Sequence, residues 1–376
     1  MNKIDQEDFI ALLEGAHQKM LLHDSPTPMK MMAAKGLAPF PPRETILILC
    51  GLTLDQNEQL QNAATETLQK LPDKILNPAF DMQLPPCALS VLAPLLATRS
   101  EFMSKIVLLP EVPDQTLADI APLVDENVAE MLANNQGRCL RSKSLVMGLR
   151  LNTKLPRSSF DRVIDFLVRS GVIYEEIPEF GESLHRMTTQ EMVEVADKIV
   201  IPEAARFLLE EIPGNEQTNA TTSDNFYDNQ EDPEYQKRIP TLKLIQSLTM
   251  SQKVSLALKG NKEARSILIR DPNKIIATAT VRSPRLTEQE VISATQSRSV
   301  CDDVIRIIAN SKEMTRSYGV KLALVNNPKT PLATAMRLLT LLRQTDVRNV
   351  SKSRNISSAL ANQAKRLGSH HGANDK

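Results

Sequence analysis

One short pattern recurs along this chain and constrains its fold more than any other feature. A polar loop leads to an aliphatic residue or Thr, then to Pro, then to a helix-sized run with aliphatic residues at three- and four-residue spacing. The pattern begins at Leu84-Pro85-Pro86, Val112-Pro113-Asp114, Leu155-Pro156-Arg157 and Thr330-Pro331. Pro at the first turn of a helix has its φ preset and loses no needed hydrogen bond. The pattern therefore predicts a succession of short helices.

Two occurrences of the pattern align over a longer stretch, residues 149–167 and 324–342. The matched positions are Leu149 with Leu324, Asn152 with Asn327, Lys154 with Lys329, Pro156 with Pro331, and Arg162 with Arg337. Toward the C-terminus, loop-like clusters recur at first every 11–16 residues or so, about one short helix and one turn. Two such helices make a repeating unit of roughly 25–30 residues. This periodicity is typical of stacked helical hairpins.

Composition agrees with a helical chain. Aromatic residues make up 3% of it, Trp is absent, and there are only 12 Gly among 376 residues. β-sandwiches and barrels depend on aromatic residues and Gly-rich turns, whereas stacked helices are filled by small and aliphatic side chains. We therefore predict an all-α protein.

A further pattern lies in residues 55–68, DQNEQLQNAATETL. An acidic start is followed by Leu60, and Ala64 and Leu68 then come at four-residue steps. This resembles the second half of a HEAT repeat, in which Asp55 would cap the helix. The Arg that the family usually places after the first aliphatic residue is Gln61 here. The short unit is also similar to leucine-rich-repeat-variant proteins, and both resemblances imply an α-solenoid of HEAT-like repeats without implying a function.

Charge is divided between the two halves of the chain, although the net charge is zero. Residues 1–236 contain 20 Lys and Arg against 36 Asp and Glu, a net charge of −16, and residues 237–376 contain 25 against 9, a net charge of +16. The basic half could bind a polyanion, dock on an acidic protein, or neutralise the acidic half. Residues 213–239 are polar, acidic and nearly free of aliphatics, which predicts a flexible linker. The expected organisation is an acidic helical-repeat domain at 1–212, the linker at 213–239, a basic helical-repeat domain at 240–368 and a tail at 369–376.

The apolar positions make three local predictions. Apolar residues from Phe9 to Leu21 at helical spacing predict one helix over residues 5–24. A Met cluster at residues 29, 31 and 32 is expected to fill a core rather than a docking surface. The four Cys are expected to be buried small hydrophobic residues: Cys50, Cys87, Cys139 and Cys301.

Motifs of enzyme chemistry are missing from the sequence. It contains no Gly-rich phosphate loop, no GxSxG, no HExxH and no Cys/His zinc spacing. His17 and His23 fall on different helix faces, and His185 stands alone. Adjacent carboxylates such as Glu175-Glu176 are typical of a solvated helix face rather than of an acid–base pair. We therefore expect a protein that is not an enzyme, with no cofactor, no metal and no small-molecule substrate.

Basic residues at or beside the recurring turns are the strongest functional lead. Equivalent turns of a solenoid stack along one edge, where such residues would form a continuous ridge. The predicted macromolecule-binding residues are Arg270, Arg282, Arg285, Arg298, Lys312, Lys329, Lys352 and Arg354.

Two functions follow from this ridge. The first is a non-catalytic scaffold or adaptor that binds another macromolecule, preferably a protein, chiefly through the basic C-terminal domain. The alternative is a nucleic-acid-binding protein whose ridge contacts backbone phosphates. The scarcity of aromatic residues argues against single strands read by base stacking. A polar, acidic N-terminus and the lack of an apolar run of about 18 residues predict a cytoplasmic protein without a membrane span.

Overall fold

The computed structural model describes residues 4–15, 17–210, 241–353 and 355–370. These residues form helices joined by turns and loops, and they contain no β-strand. The prediction of an all-α fold is confirmed. Contacts within the chain divide it into two compact units, residues 1–166 and residues 167–376.

The first unit consists of short helices joined by tight turns. They are α1 (Gln6–Ile10), α2 (Thr27–Ala34), α3 (Pro42–Leu52), α4 (Glu58–Gln69), α5 (Asp73–Asp81), α6 (Pro86–Leu95), α7 (Ser100–Leu108), α8 (Asp114–Ile120), α9 (Glu126–Asn134), α10 (Gln136–Arg141), α11 (Lys143–Leu151) and the greater part of α12 (Arg157–Arg169). Helices next but one along the chain pack together, as α1 with α3, α6 with α8, and α7 with α9. Residues 45–52 of α3 are all buried, so other parts of the first unit surround this helix.

The second unit continues in the same style. Its helices are α13 (Glu179–Arg186), α14 (Thr189–Lys198), α15 (Met250–Lys259), α16 (Lys262–Leu268), α17 (Lys274–Val281), α18 (Glu288–Gln296), α19 (Asp302–Asn310), α20 (Tyr318–Asn326), α21 (Leu332–Leu339), α22 (Gln344–Lys352) and α23 (Ser358–His370), and residues 241–247 are also helical. Here α14 packs on α15, α15 on α17, α17 on α19, and α18 on α20. A core of Val, Ile, Leu and Ala side chains runs from α17 to α23.

Pro residues start helices at the predicted places. Pro86 is the first residue of α6, and Pro113 and Pro331 occupy the N-cap positions of α8 and α21. The next helix, α12, begins directly after Pro156. The preset φ of Pro suits these positions, where no intrahelical donor is lost. The predicted helix starts are therefore confirmed.

The aligned residues Asn152 and Asn327 occupy equivalent places. Each is buried and ends a helix, α11 and α20 respectively. The side-chain amide of Asn152 donates to the carbonyl oxygen of Ala121 (2.6 Å), and that of Asn327 donates to the carbonyl oxygen of Thr295 (2.6 Å). Each Oδ1 accepts the backbone N–H two residues further on, at 2.8 and 2.9 Å. The sequence alignment thus corresponds to one shared hydrogen-bond arrangement.

Long side chains throughout the chain reach back to backbone carbonyls 26 to 29 residues earlier. We call these contacts long-range carbonyl hydrogen bonds. They join Arg99 to Leu71, Arg138 to Val112, Lys198 to Arg169, Arg285 to Lys259, and Lys329 to Val300. The separation falls within the predicted unit of roughly 25–30 residues. The acceptors Arg169 and Lys259 end helices, whereas Leu71, Val112 and Val300 lie in loops directly before a helix.

Two local predictions near the N-terminus are wrong. The single helix expected over residues 5–24 ends at Ile10, and a 3₁₀ turn follows at Gln18–Met20. Gly15 has a φ of +45°, a left-handed conformation that interrupts a right-handed helix. Asp55 does not cap α4, because Asn57 does so by accepting from the N–H of Gln59.

Instead, Asp55 forms a buried ion pair with Lys30, 3.0 Å from Nζ to Oδ2. Burial opposes ionisation of this carboxyl, but the hydrogen bond from Lys30 leads the effects that lower its pKa. A buried charge is tolerated when it is paired and hydrogen-bonded. Asp55 therefore joins α2 to the loop before α4.

The predicted burial of the Met and Cys residues is confirmed in part. Met29 and Met32 expose 42% and 55% of their surface, so these two do not fill a core. Cys50 and Cys139 are buried as predicted, and burial raises the pKa of both thiols, that of Cys139 to about 12. The other two Cys are half-buried.

The two units differ from the predicted domain bounds. Residues 167–210 precede the predicted linker, yet they belong to one unit with the helices that follow it. In that unit, Ser255 Oγ donates to the carbonyl of Ala196 (3.0 Å) and Lys259 pairs with Asp197 (2.6 Å). The linker itself lies outside the described residues and stays a prediction, as does the tail beyond residue 370.

Candidate functional site

A concave groove of the second unit is formed by α13, α17 and α19. It has a volume of about 1190 Å³ and is open to solvent. Small-molecule pockets usually enclose about 300–1,000 Å³. The groove is therefore slightly larger than the usual small-molecule pocket, and its size alone does not define the ligand class.

The floor of the groove is α17. Asn273 caps this helix by accepting from the N–H of Ile275 (3.0 Å). Ile276, Ala277 and Val281 point into the core, which leaves Lys274, Ile275 and Thr278 on the groove face. The Thr278 hydroxyl donates to the carbonyl of Lys274 in its own helix (2.7 Å). Because this hydroxyl is already hydrogen-bonded, the floor at Thr278 behaves as a more apolar surface than a free hydroxyl would give.

The first wall is α13 with the turn before it. Gly181 lies against Ile275, and a Cβ at residue 181 would be 3.1 Å from Ile275 Cγ1. The missing side chain lets α13 approach the floor closely. Glu175 is exposed at the start of this wall, and its Oε1 accepts from Asn273 Nδ2 (3.1 Å). That partner is a neutral amide, so it supplies no positive charge opposite the carboxylate.

The second wall is α19, whose opposite face is buried in the core. Asp303, Arg306, Ile307 and Asn310 line the groove at three- and four-residue spacing. The Asp303 carboxylate pairs with Lys274 Nζ (2.9 Å), and this hydrogen bond raises the pKa of Lys274. Arg306 is exposed, and no described residue forms an ion pair or hydrogen bond with it. Arg306 is thus the uncompensated charge of the second wall.

At the far end of the floor, Arg282 joins α17 to α13. Its Nη1 donates to the carbonyl oxygens of Leu184 and His185, both at 3.1 Å, and its Nη2 lies 2.6 Å from His185 Nδ1. A guanidinium can only donate, so Nδ1 accepts and the proton of a neutral His185 is on Nε2. Burial lowers the pKa of Arg282 without removing its charge. With the contact between Gly181 and Ile275, this shows that α13 and α17 run in the same direction.

Several of the sequence-predicted cations are engaged within the unit. Arg282 contacts α13 as described, and Arg270 donates to the carbonyl of Ser266 (2.5 Å). Arg285 donates to the carbonyl of Lys259 (2.6 Å), and Lys329 donates to that of Val300 (2.6 Å). The carbonyls of Ser266 and Lys259 lie in the last turns of helices, where unpaired carbonyls carry partial negative charge, and that of Val300 lies in the loop before α19.

The remaining predicted cations are placed differently. Arg298, Lys312 and Lys352 are exposed, and Arg354 lies outside the described residues. Of the eight, Arg282 lines the groove, so the structure brings one of them to this site. A continuous basic ridge made by the eight stays a prediction.

The groove residues Glu175, Lys274 and Arg306 were not among the predicted binding residues. The predicted residues were cations at turns, whereas Lys274 and Arg306 lie on helix faces and Glu175 is an acidic residue. A signal for the second wall does exist in the sequence, because the polar residues of α19 recur at the spacing that places them on one face. No comparable signal shows which neighbouring helix such a face meets.

The described residues hold no group of three or more His, Cys, Asp or Glu placed to bind a metal ion. In the same part of the chain, no helix combines the length and apolar character needed to cross a membrane. Compared with protein-family models, curated proteins and solved structures, the chain matches none.

Proposed function

We propose that this protein is a non-catalytic α-solenoid of HEAT-like repeats that binds a protein partner in the groove of the second unit. The resemblance of residues 55–68 to a HEAT repeat motivates the repeat assignment. The packing of next-but-one helices and the long-range carbonyl hydrogen bonds support it, because each helix pair then depends on its neighbour.

The single observation that carries the binding proposal is the lining of the groove. Apolar side chains such as Ile275 and Ile307 lie between charged walls of opposite sign, represented by Glu175 and Arg306. Protein partners offer apolar groups flanked by mixed charges. A nucleic acid backbone offers negative charge alone. The lining therefore favours a protein segment.

Photo-crosslinking tests this proposal on the full chain. A benzophenone amino acid at Thr278 would stand on the groove floor, and the same group at Ser351 in α22 would serve as the control. We expect protein adducts in the native cell at position 278 that are missing at position 351. Equal adducts at both positions, or none at position 278, would contradict binding in the groove.

Nucleic acid binding is the second candidate, and the +16 net charge of residues 237–376 favours it. Exposed cations such as Arg298, Lys312 and Lys352 would contact phosphates. Binding of duplex DNA by the full chain that weakens steeply with salt would support this candidate. Nucleic acid adducts in place of protein adducts at position 278 would move the nucleic acid into the groove itself.

A further inference from the structure

We propose that the groove binds an amphipathic helix whose apolar face is bordered by acidic residues on one edge and by basic residues on the other. The acidic edge would meet Arg306 on α19, and the basic edge would meet Glu175 on the side of α13. This inference rests on the proposed function and names the chemical class of its partner.

The helical form of the partner follows from the dimensions of the groove. Packed helices lie about 8–10 Å apart, so two walls on either side of one floor helix stand about 16–20 Å apart. This is the distance between the wall axes, and a partner helix packed about 8–10 Å from the floor and from both walls needs wall axes about 14–17 Å apart. A helix therefore fits above α17, in the way that amphipathic helices occupy apolar grooves.

The apolar face of the partner follows from the floor. Ile275 projects from α17 and Ile307 from α19, and Pro178 lies on the opposite wall. The Thr278 hydroxyl between them is already hydrogen-bonded within its helix. Burial of the partner's apolar side chains against this floor would be favourable, because apolar surface leaves water and the Thr278 hydroxyl keeps its hydrogen bond.

The two charged edges follow from the state of the wall residues. Lys274 and Asp303 neutralise one another at 2.9 Å, and the guanidinium of Arg282 is taken up by α13. Arg306 and Glu175 are left as charges without an ion partner among the described residues. A partner with complementary edges would pair both, while a partner with one sign on both edges would meet repulsion at one wall.

Opposite edges also select the direction of the partner. Turning a helix end for end, with its apolar face still on the floor, exchanges its left and right edges. The wrong direction would place acidic residues beside Glu175 and basic residues beside Arg306. The groove therefore distinguishes the two orientations of one peptide.

Synthetic peptides of about 15 residues test the proposal with the full chain, and hydrocarbon staples keep them helical because isolated helices of this length are marginal. All share one Leu face. The first peptide carries Glu on one edge and Lys on the other, the second carries Glu on both, and the third carries Lys on both. We expect the first to bind about 5-fold more tightly than either of the others at low salt.

Arg306→Glu should reverse this preference. The variant would bind the peptide with two Lys edges most tightly, and the matched surface variant Arg316→Glu, outside the groove, should behave as wild type. Equal binding of the three peptides, or an unchanged ranking in Arg306→Glu, would overturn the inference about charged edges.

A third variant separates this inference from the proposed function. Thr278→Trp fills the floor of the groove and should abolish binding of all three peptides, while circular dichroism shows that the helices are retained. Loss of binding in Thr278→Trp without any charge preference would refute the charged edges and leave groove binding intact. Binding that is insensitive to Thr278→Trp, or the absence of binding by every peptide, would refute the helical partner, and the crosslinking at position 278 would then decide the proposed function separately.

Discussion

Arg138 shows how a single residue joins neighbouring helices in the first unit. It is 4% exposed, and its guanidinium donates to the carbonyls of Leu109 and Val112, both at 2.7 Å, and to Asp114 Oδ1 at 2.9 Å. A buried cation is stable only when its donors are satisfied and its charge is balanced. Asp114 supplies the balancing charge and also forms an ion pair with Arg141.

Asp114 should therefore make stability depend on pH. The hydrogen bond from Arg141, and then that from Arg138, lowers the pKa of Asp114 in the folded chain. Its contribution is present above the unfolded pKa of about 3.9 and is lost as pH falls through the folded value. Asp114→Asn should lower the free energy of unfolding by about 1–3 kcal/mol at pH 7. The difference from wild type should shrink below about pH 4.

Urea unfolding at a series of pH values measures this effect. Asp119→Asn is the matched control, because Asp119 lies in the same helix, is exposed and, within the described residues, accepts only from Gln115. The control should follow the wild-type curve within about 0.5 kcal/mol. A constant difference between Asp114→Asn and wild type down to pH 2 would show that the carboxylate does not stabilise the fold through its charge.

Single residues also show how far sequence reasoning reaches. The matched pair Asn152 and Asn327 was visible because both lie in aligned segments, and both make the same contacts. The roles of Arg282 and Arg285 were not visible, because their partners are carbonyls 26 to 98 residues away in the sequence. In the sequence, a charged residue next to a turn has the same pattern whether its side chain faces solvent or a helix end.

At the scale of elements, one close helix approach depends on a glycine. Gly148 of α11 lies against α8, and a Cβ at this position would be 2.5 Å from the carbonyl oxygen of Ala118. A backbone carbonyl cannot turn aside as a side-chain end can. The two helices are therefore held at a distance that excludes any larger residue.

Two glycine substitutions in this unit should have opposite signs. Gly148→Ala should lower the free energy of unfolding by about 1–3 kcal/mol, because the helices must separate. Gly137→Ala in α10 should raise it by about 0.5 kcal/mol, because its Cβ would meet nothing closer than 4.0 Å and alanine favours helix. Thermal unfolding of both variants compares them directly. Equal effects would mean that α8 and α11 do not approach this closely.

Element boundaries were predictable where local chemistry decides them. Pro and the capping residues start α6, α8 and α21 at the expected places. The helix predicted from the apolar stripe between Phe9 and Leu21 was wrong, because spacing alone does not reveal the left-handed Gly15 that breaks the helix. The groove could not be predicted, since it depends on which helix faces meet.

At the scale of the whole molecule, the second unit contains residues from both sides of the segment at 213–239. Its parts on either side are joined by Ser255 with Ala196 and by Lys259 with Asp197. Asn261 adds a backbone hydrogen bond to Leu208 at 2.6 Å. Composition and charge marked this segment as a boundary, but neither reports which helices share a core.

Cleavage at this segment tests the unit directly. A protease site inserted near residue 225 of the full chain should yield two fragments that stay associated, because both contribute to one unit. Gel filtration after cleavage measures the association. A cleaved Leu256→Asp variant is the control and should come apart, since Leu256 is fully buried in α15. Separation of the wild-type fragments would instead support independent domains at 1–212 and 240–368.

The long-range carbonyl hydrogen bonds bear on how a chain of this kind can change in length. Five of these bonds join side chains to carbonyls 26 to 29 residues earlier in the described part of the chain. In the proposed repeat architecture, duplicating or deleting a whole helix pair would leave each of these donors opposite an equivalent carbonyl. Deleting one helix leaves donors with nothing to contact. Insertions and deletions that survive in related sequences should therefore come in whole helix pairs.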